Sequence, residues 1–351
     1  MAAQRKRRVL VTGVARFLGL RIAKQLEDDP NVESLIGVDL EEPPIPIKNL
    51  EFIRVDIGNP LIARVIQASQ VDTVIHTNIS SSPAILGGRS QMKENNVIGT
   101  MQLLAAAQRS ENIDKVIVKS SSAVYGSGPG ELSILPENHA SRQMELSGYG
   151  KDCAEAETYA RDFGRRRADV DLVILRTQNV IGPTVSTSIT DYLSLPVLPT
   201  ALGYDPRLQF LHEEDAVDAF VRAMHSDCRG IYNVAADGVV YLSQAIRLLG
   251  RLQAPVLLPA AQAIAELMRR FDIVDFPTDQ LKLILYGRVV DIARAREAFG
   301  FSPRFSTLES LIDFRDNRKD DLSPGPGPRP SWERELFEYL RTKSQTEKET
   351  V

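Results

Sequence analysis

The chain has 351 residues, enough to bury a large core and to divide into two lobes. Its 43% apolar and 25% charged residues suit a soluble globular protein, and a net charge of -4 gives no sign of a nucleic-acid binder. Two cysteines, Cys153 and Cys228, exclude a disulfide framework and fit a reducing cytoplasm.

The basic run RKRR, Arg5 to Arg8, reads as a solvated arm before a first strand, because the apolar stretch behind it is cut by Gly13 and Arg16. No apolar run approaches the ~20 residues of a membrane span. RRVLVTG then predicts a strand and FLGLRIAKQLEDD a helix. SLIGVDL and EFIRVD predict strands, PLIARVIQASQ a helix and VDTVIHTN a strand. RSQMKENNVIGTMQLLAAAQRS predicts a long helix, DKVIVKSSS a strand, GYGKDCAEAETYARDFGRRR a helix and VDLVILR a strand. Strands that are continuous apolar runs are buried on both faces, which means a parallel sheet between helices. Alternation with helices at this spacing makes βαβ units and a doubly wound α/β sheet of Rossmann type.

After Gly182, Pro183, Pro196, Pro199 and Pro206 break the pattern. GIYNVAA predicts one more strand, and LSQAIRLLGRL and AAQAIAELMRRF predict helices. The expected division is a nucleotide domain of 8–182 plus 208–236 and a smaller substrate lobe of 183–207 plus 237–315. A linker from Leu322, a short helix with the only Trp and a polar tail would follow within 316–351.

VLVTGVARFLG joins a buried strand to a helix through a turn with Gly13 and Gly19 six apart. Such a turn presents helix N-terminal N–H groups to a pyrophosphate, and Gly19 lets helix and strand approach closely. Asp39 ends the second strand about 26 residues beyond Gly13, where a carboxylate accepts hydrogen bonds from the adenosine ribose. It would repel a 2′-phosphate, so NAD is expected in preference to NADP.

These residues resemble the extended short-chain dehydrogenase/reductase family, whose loop is TGxxGxxG. Here it is TGVARFLG, with Arg16 at the middle glycine and Phe17 and Leu18 completing the loop. An Arg there either crowds the pyrophosphate or donates to it as a fork. NVIGTMQLLAAA, SSSAVYG, LRTQNVIGP, LQFLHEEDAVDAF and VVDIARAREAFGFSPRF are similar to further family segments, from about Arg8 to Asp313. The resemblance leans toward UDP-glucose 4-epimerase and other nucleotide-sugar epimerases and dehydratases. It implies an adenine contact from Asp56 beside Ile57, and cofactor roles for His76 and Asn96.

The resemblance also implies the chemistry. A Tyr moves the proton of a sugar hydroxyl, a Lys four residues later on the helix lowers its pKa, and a Ser or Thr steadies the reacting oxygen. The Ser role falls to Ser121, with Ser122 the neighbour. Lys151 aligns through KDCAE with the family's KxxAE, yet Ser147 stands four residues before it. Tyr149 takes the proton role if the helix start is unwound there, and is otherwise a surface aromatic. Tyr125 is a further candidate that would line the pocket, Asn179 matches a diphosphate contact, and Arg207 lies one residue short of another. His212 is expected to be structural and Cys153 to pack. Glu213, Glu214 and Asp215 fit a helix cap, and no spacing suggests a metal. The expected function is an NAD-dependent nucleotide-sugar epimerase or dehydratase with transient hydride transfer. The alternatives are a dinucleotide-binding protein without turnover and a simple ketone reductase. No membrane or nucleic-acid partner is expected, and the resemblance allows a homodimer.

Overall fold

The computed structural model describes residues 6–82, 86–139, 146, 148–258 and 278–318. Ser147, the segment AAQAIAELMRRF, the linker from Leu322 and the Trp-bearing segment lie outside them.

Seven strands make one parallel sheet. They are β1 (Arg7–Thr12), β2 (Val32–Asp39), β3 (Leu50–Arg54), β4 (Thr73–His76), β5 (Lys115–Ser121), β6 (Asp171–Thr177) and a last strand, Gly230–Val234. The spatial order is β3-β2-β1-β4-β5-β6 followed by Gly230–Val234. Every pairing is parallel. β4 is buried along its whole length and β1 and β5 nearly so, which is why their sequences are continuous apolar runs. The winding reverses between β1 and β4, and the crevice at such a switch point, beyond the carboxyl ends of the strands, is where doubly wound folds bind ligands.

Two helical layers cover the sheet. On one face α1 (Phe17–Leu26) forms a core with Val9, Ile117 and the residues of Glu213–His225, among them Phe220. On the other lie α2 (Ile62–Ala68), α3 (Arg89–Lys93), α4 (Thr100–Arg109) and α5 (Gly148–Arg166), with Ile66, Leu103, Ala156 and Phe163 against Leu10 and Val116. The long helix expected over RSQMKENNVIGTMQLLAAAQRS is interrupted. Glu94–Gly99 winds as a π-helix between α3 and α4, and turns of this kind recur at functional sites. Among the described residues, no helix is long and apolar enough to cross a membrane.

A third core gathers Ile181, Ile189, Tyr192, Leu198, Phe210, Ile246, Leu283, Leu311 and Phe314 beyond the sheet. Buried amides tie this region to the sheet. Gln178 Nε2 donates to the Arg288 carbonyl at 2.8 Å, and Gln209 Oε1 accepts from the Val290 N–H at 2.8 Å. Within the first core, Asn233 Nδ2 donates to the carbonyls of Leu135 at 3.0 Å and Asp291 at 3.1 Å. His212 stacks on Phe305 at 3.7 Å between ring centroids and meets Asp313 Oδ2 at 3.1 Å, contacts that hold it inside the fold.

Candidate active site

The turn after β1 is held by backbone geometry. Gly13 has φ +77°, a left-handed conformation that favours glycine. A Cβ on Gly19 would lie 2.3 Å from the Gly13 carbonyl oxygen, so the first turn of α1 rests against the strand end. Gly19→Ala is expected to force a main-chain shift, costing about 1–3 kcal/mol. A lower unfolding temperature and weaker NAD binding by calorimetry would show it. Arg16 caps the start of α1, with its N–H donating to the Gly13 carbonyl at 3.0 Å. Phe17 is half-buried with Arg21 over its ring, and Leu18 is buried in the core.

Asp39 ends β2 beneath this turn. Its carboxylate accepts from the Ala15 N–H at 3.0 Å and the Leu40 N–H at 2.7 Å. Burial raises its pKa, against these N–H donors and the Arg16 charge. Asp56 is exposed and accepts from the Gly58 N–H at 2.8 Å, while its neighbour Ile57 is buried under Gly99.

His76 lies beneath the crevice. Its Nδ1 meets Thr12 Oγ1 at 2.8 Å and its Nε2 meets Thr100 Oγ1 at 2.8 Å, so both ring nitrogens are engaged inside the protein. Burial, reinforced by the Lys119 charge, lowers its pKa to about 3 and keeps it neutral. His76 therefore supports the crevice from below rather than facing it. Asn96, in the π-helical turn, holds the chain after β4 by both amide atoms, accepting from the Ser80 N–H at 2.9 Å and donating to the Ser80 carbonyl at 2.8 Å.

Ser121, the last residue of β5, is buried, and its Oγ accepts from the Ala123 N–H at 3.2 Å. Tyr149 is also buried, with its hydroxyl in the neighbourhood of Ser121 and of Cys153 one turn along α5. Burial holds its pKa well above the usual phenol value, while Ser121 and the charge of Arg288 pull it down. The buried face of α5 carries Tyr149, Cys153, Ala156, Ala160 and Phe163, an i, i+4, i+7 spacing. Lys151 falls outside that face and is exposed. Positions two apart on a helix differ by about 200° in direction, so the Lys expected to lie beside the reactive Tyr points away from it. The residue one turn beyond Tyr149 is Cys153, whose pKa burial pushes up to about 12, leaving a neutral thiol.

Ser122 donates to Gln178 Oε1 at 2.7 Å and accepts from Arg288 Nε at 3.0 Å. Tyr125, expected to line a pocket, is instead locked in the interior. Its hydroxyl donates to Asn233 Oδ1 at 2.7 Å and accepts from Arg176 Nη1 at 2.8 Å. Arg176 in turn forks onto the buried Glu157 at 2.8 and 2.7 Å. Asn179 stands at the rim of the third core, and Arg207 donates to the Ser133 carbonyl at 2.9 Å. Glu213 accepts from the N–H groups of Thr184 at 2.9 Å and Val185 at 3.0 Å, a loop-fastening role. Among the described residues, no group of His, Cys, Asp and Glu is placed to hold a metal ion.

The crevice suits a dinucleotide. Arg16 Nε and Asn78 Oδ1 are buried without a protein hydrogen-bond partner, and Asn78 packs directly on Gly13. Asn179 Nδ2 is likewise buried and unsatisfied on the far side. Buried polar atoms of this kind are rare unless a ligand or water completes them. Sequence reasoning missed Lys119, whose ammonium reaches the Ile79 carbonyl between Arg16 and Cys153. The signal was a second charge, after Lys115, inside an apolar strand.

Comparison with known proteins bears on this geometry. The NAD dependent epimerase/dehydratase family matches residues 9–235. An uncharacterized protein of Mycobacterium tuberculosis is 40% identical over 331 residues, covering 93% of this chain and 88% of its own. A UDP-glucose 4-epimerase structure from Thermotoga maritima, with UDP-glucose, superposes with a TM-score of 0.69 at 20% identity, covering 88% of this chain and 98% of its own. A UDP-glucuronic acid 4-epimerase from Bacillus cereus in complex with NAD gives a TM-score of 0.65 at 20% identity, covering 88% and 98%.

Proposed function

The chain belongs to the NAD dependent epimerase/dehydratase family, and from that premise we propose that it binds NAD and acts on a nucleotide sugar at a ring hydroxyl. The observation that carries this reading is the burial of Tyr149, in the first turn of α5, near Ser121 at the carboxyl end of β5. The Gly13 turn and the N-terminal N–H groups of α1 would hold the pyrophosphate, with Arg16 as an added donor and Asp39 on the adenosine ribose. NAD, when bound, supplies hydride acceptance and return. Tyr149 takes the proton of the sugar hydroxyl and later gives it back, and Ser121 orients the same oxygen by a second hydrogen bond. Asn179 would meet the diphosphate of the nucleotide, next to a substrate lobe of 183–207 and 237–315.

A second reading rests on a specific observation. Position 153 is a neutral Cys and Lys151 is exposed, so the helix lends Tyr149 no positive charge. A protein that holds NAD without turning over a sugar is consistent with that arrangement.

Calorimetric titration with NAD and a turnover assay on UDP-sugars decide between them. Binding with turnover of UDP-glucose or a related sugar supports the first, and binding with no turnover supports the second. A flat titration removes both. Asp39→Ala is expected to weaken NAD binding about 10–100-fold, since hydrogen bonds to a charged group contribute about 1.5–3 kcal/mol.

A further inference from the structure

The last strand of the sheet, Gly230–Val234, is covered unequally on its two faces. On one face Tyr232 packs edge-on against Phe299 of the helix Ala293–Phe299, with ring centroids 5.3 Å apart. Successive side chains of a strand point to opposite faces, so Ile231 points the other way. There it meets the C-terminal half of α5 across a groove of about 630 Å³. Leu172, Ile174 and Ile231 give the groove an apolar floor. Arginines stand on both of its sides, Arg161 and Arg165 on α5 and Arg229 just before the strand. Each leans on a nearby acid, Arg161 on Glu157, Arg165 on Asp162 and Arg229 on Asp171. Glu157 is already matched by the buried Arg176, so the rims keep a net positive charge.

We propose that residues 332–340 of this chain dock in the groove as a helix and cover that face of the last strand. The sequence SWERELFEYLRTK matches the groove in pattern and in charge. At about 100° per residue, Trp332, Leu336, Tyr339 and Leu340 fall on one helix face. Glu333 and Glu335 flank that face on its two sides, whereas Arg334 and Arg341 stand opposite it. The apolar stripe suits the floor, and the acid on each flank suits the arginines on each rim, the usual arrangement of an amphipathic helix in a groove. Residues 319–331 join the last described residue to Trp332. Extended, they span roughly 40 Å, about twice the radius of gyration expected of a chain this long, which is enough to cross the molecule.

The test is fluorescence of the full-length protein, in which Trp332 is the only tryptophan. Its emission is expected to be blue-shifted, and its quenching by acrylamide several-fold weaker, compared with the urea-unfolded chain. Ile231→Asp puts a carboxylate in the floor and should return the quenching toward the unfolded value. Arg165→Glu with Arg229→Glu alters only exposed side chains. That pair is expected to lower the ratio of docked to undocked segment about tenfold, because each exposed ion pair turned repulsive is worth a few-fold. Adding Glu333→Arg with Glu335→Arg should restore it. Thermal unfolding of each variant shows that the sheet is folded. A Trp332 as open to acrylamide in the native protein as in the unfolded chain overturns the proposal. Shielding that survives both Ile231→Asp and the arginine reversal also overturns it, because the segment then sits elsewhere. Shielding lost on dilution shows that the groove takes the segment of a second copy, and overturns docking within one chain.

Discussion

Tyr149→Phe is expected to lower turnover of the nucleotide sugar by about 10²–10⁴-fold, the usual worth of a positioned acid/base group. The ring stays in place, so Cys153, Ala156 and the rest of the buried face of α5 keep their packing. NAD affinity should therefore hold within about twofold, because only the buried hydroxyl is lost. The measurement pairs a steady-state rate on UDP-sugars with an NAD titration of the same sample. A fall in both would mean that Tyr149 shapes the crevice rather than moving a proton. No change in either would exclude it from the chemistry.

The largest effect on stability is expected from Glu157→Ala. Glu157 accepts from Ser120 Oγ at 2.6 Å and from Arg176 at 2.8 and 2.7 Å, and it is almost completely buried. Removing it leaves the Arg176 guanidinium buried beside Tyr125 without its counter-charge. Breaking a buried pair in this way costs about 3–5 kcal/mol. In a chain of this size that is about a 4–7 °C fall in unfolding temperature by circular dichroism. Replacing both partners with methionine should recover much of the loss, since no lone charge is then left inside. Equal losses in the single and double variants would show that packing, rather than charge, holds this corner together.

The sheet was legible in the sequence because parallel strands buried on both faces must be apolar throughout, as VIVKSS and TVIH nearly are. Gly13, Gly19 and Asp39 were legible because a strand–turn–helix that brings backbone so close tolerates few residue types. The reactive helix was harder. Aligning on KDCAE placed Lys151 inward, whereas the apolar spacing of Tyr149, Cys153, Ala156, Ala160 and Phe163 decides which face packs. Tyr125 resisted for another reason. Its buried partners Asn233 and Arg176 come from positions 108 and 51 residues away, and no local pattern joins them. Lys119 was visible as an oddity in a strand, but only the fold brings it near Cys153.

The buried amides of Gln178 and Gln209 limit how the crevice can work. A hinge that swung the third core away from the sheet would break the Gln178 and Gln209 bonds together, and each buried amide left unpaired costs about 1–3 kcal/mol. Such a swing is accordingly costly, and these amides favour a crevice built in advance over one that works as a closing jaw.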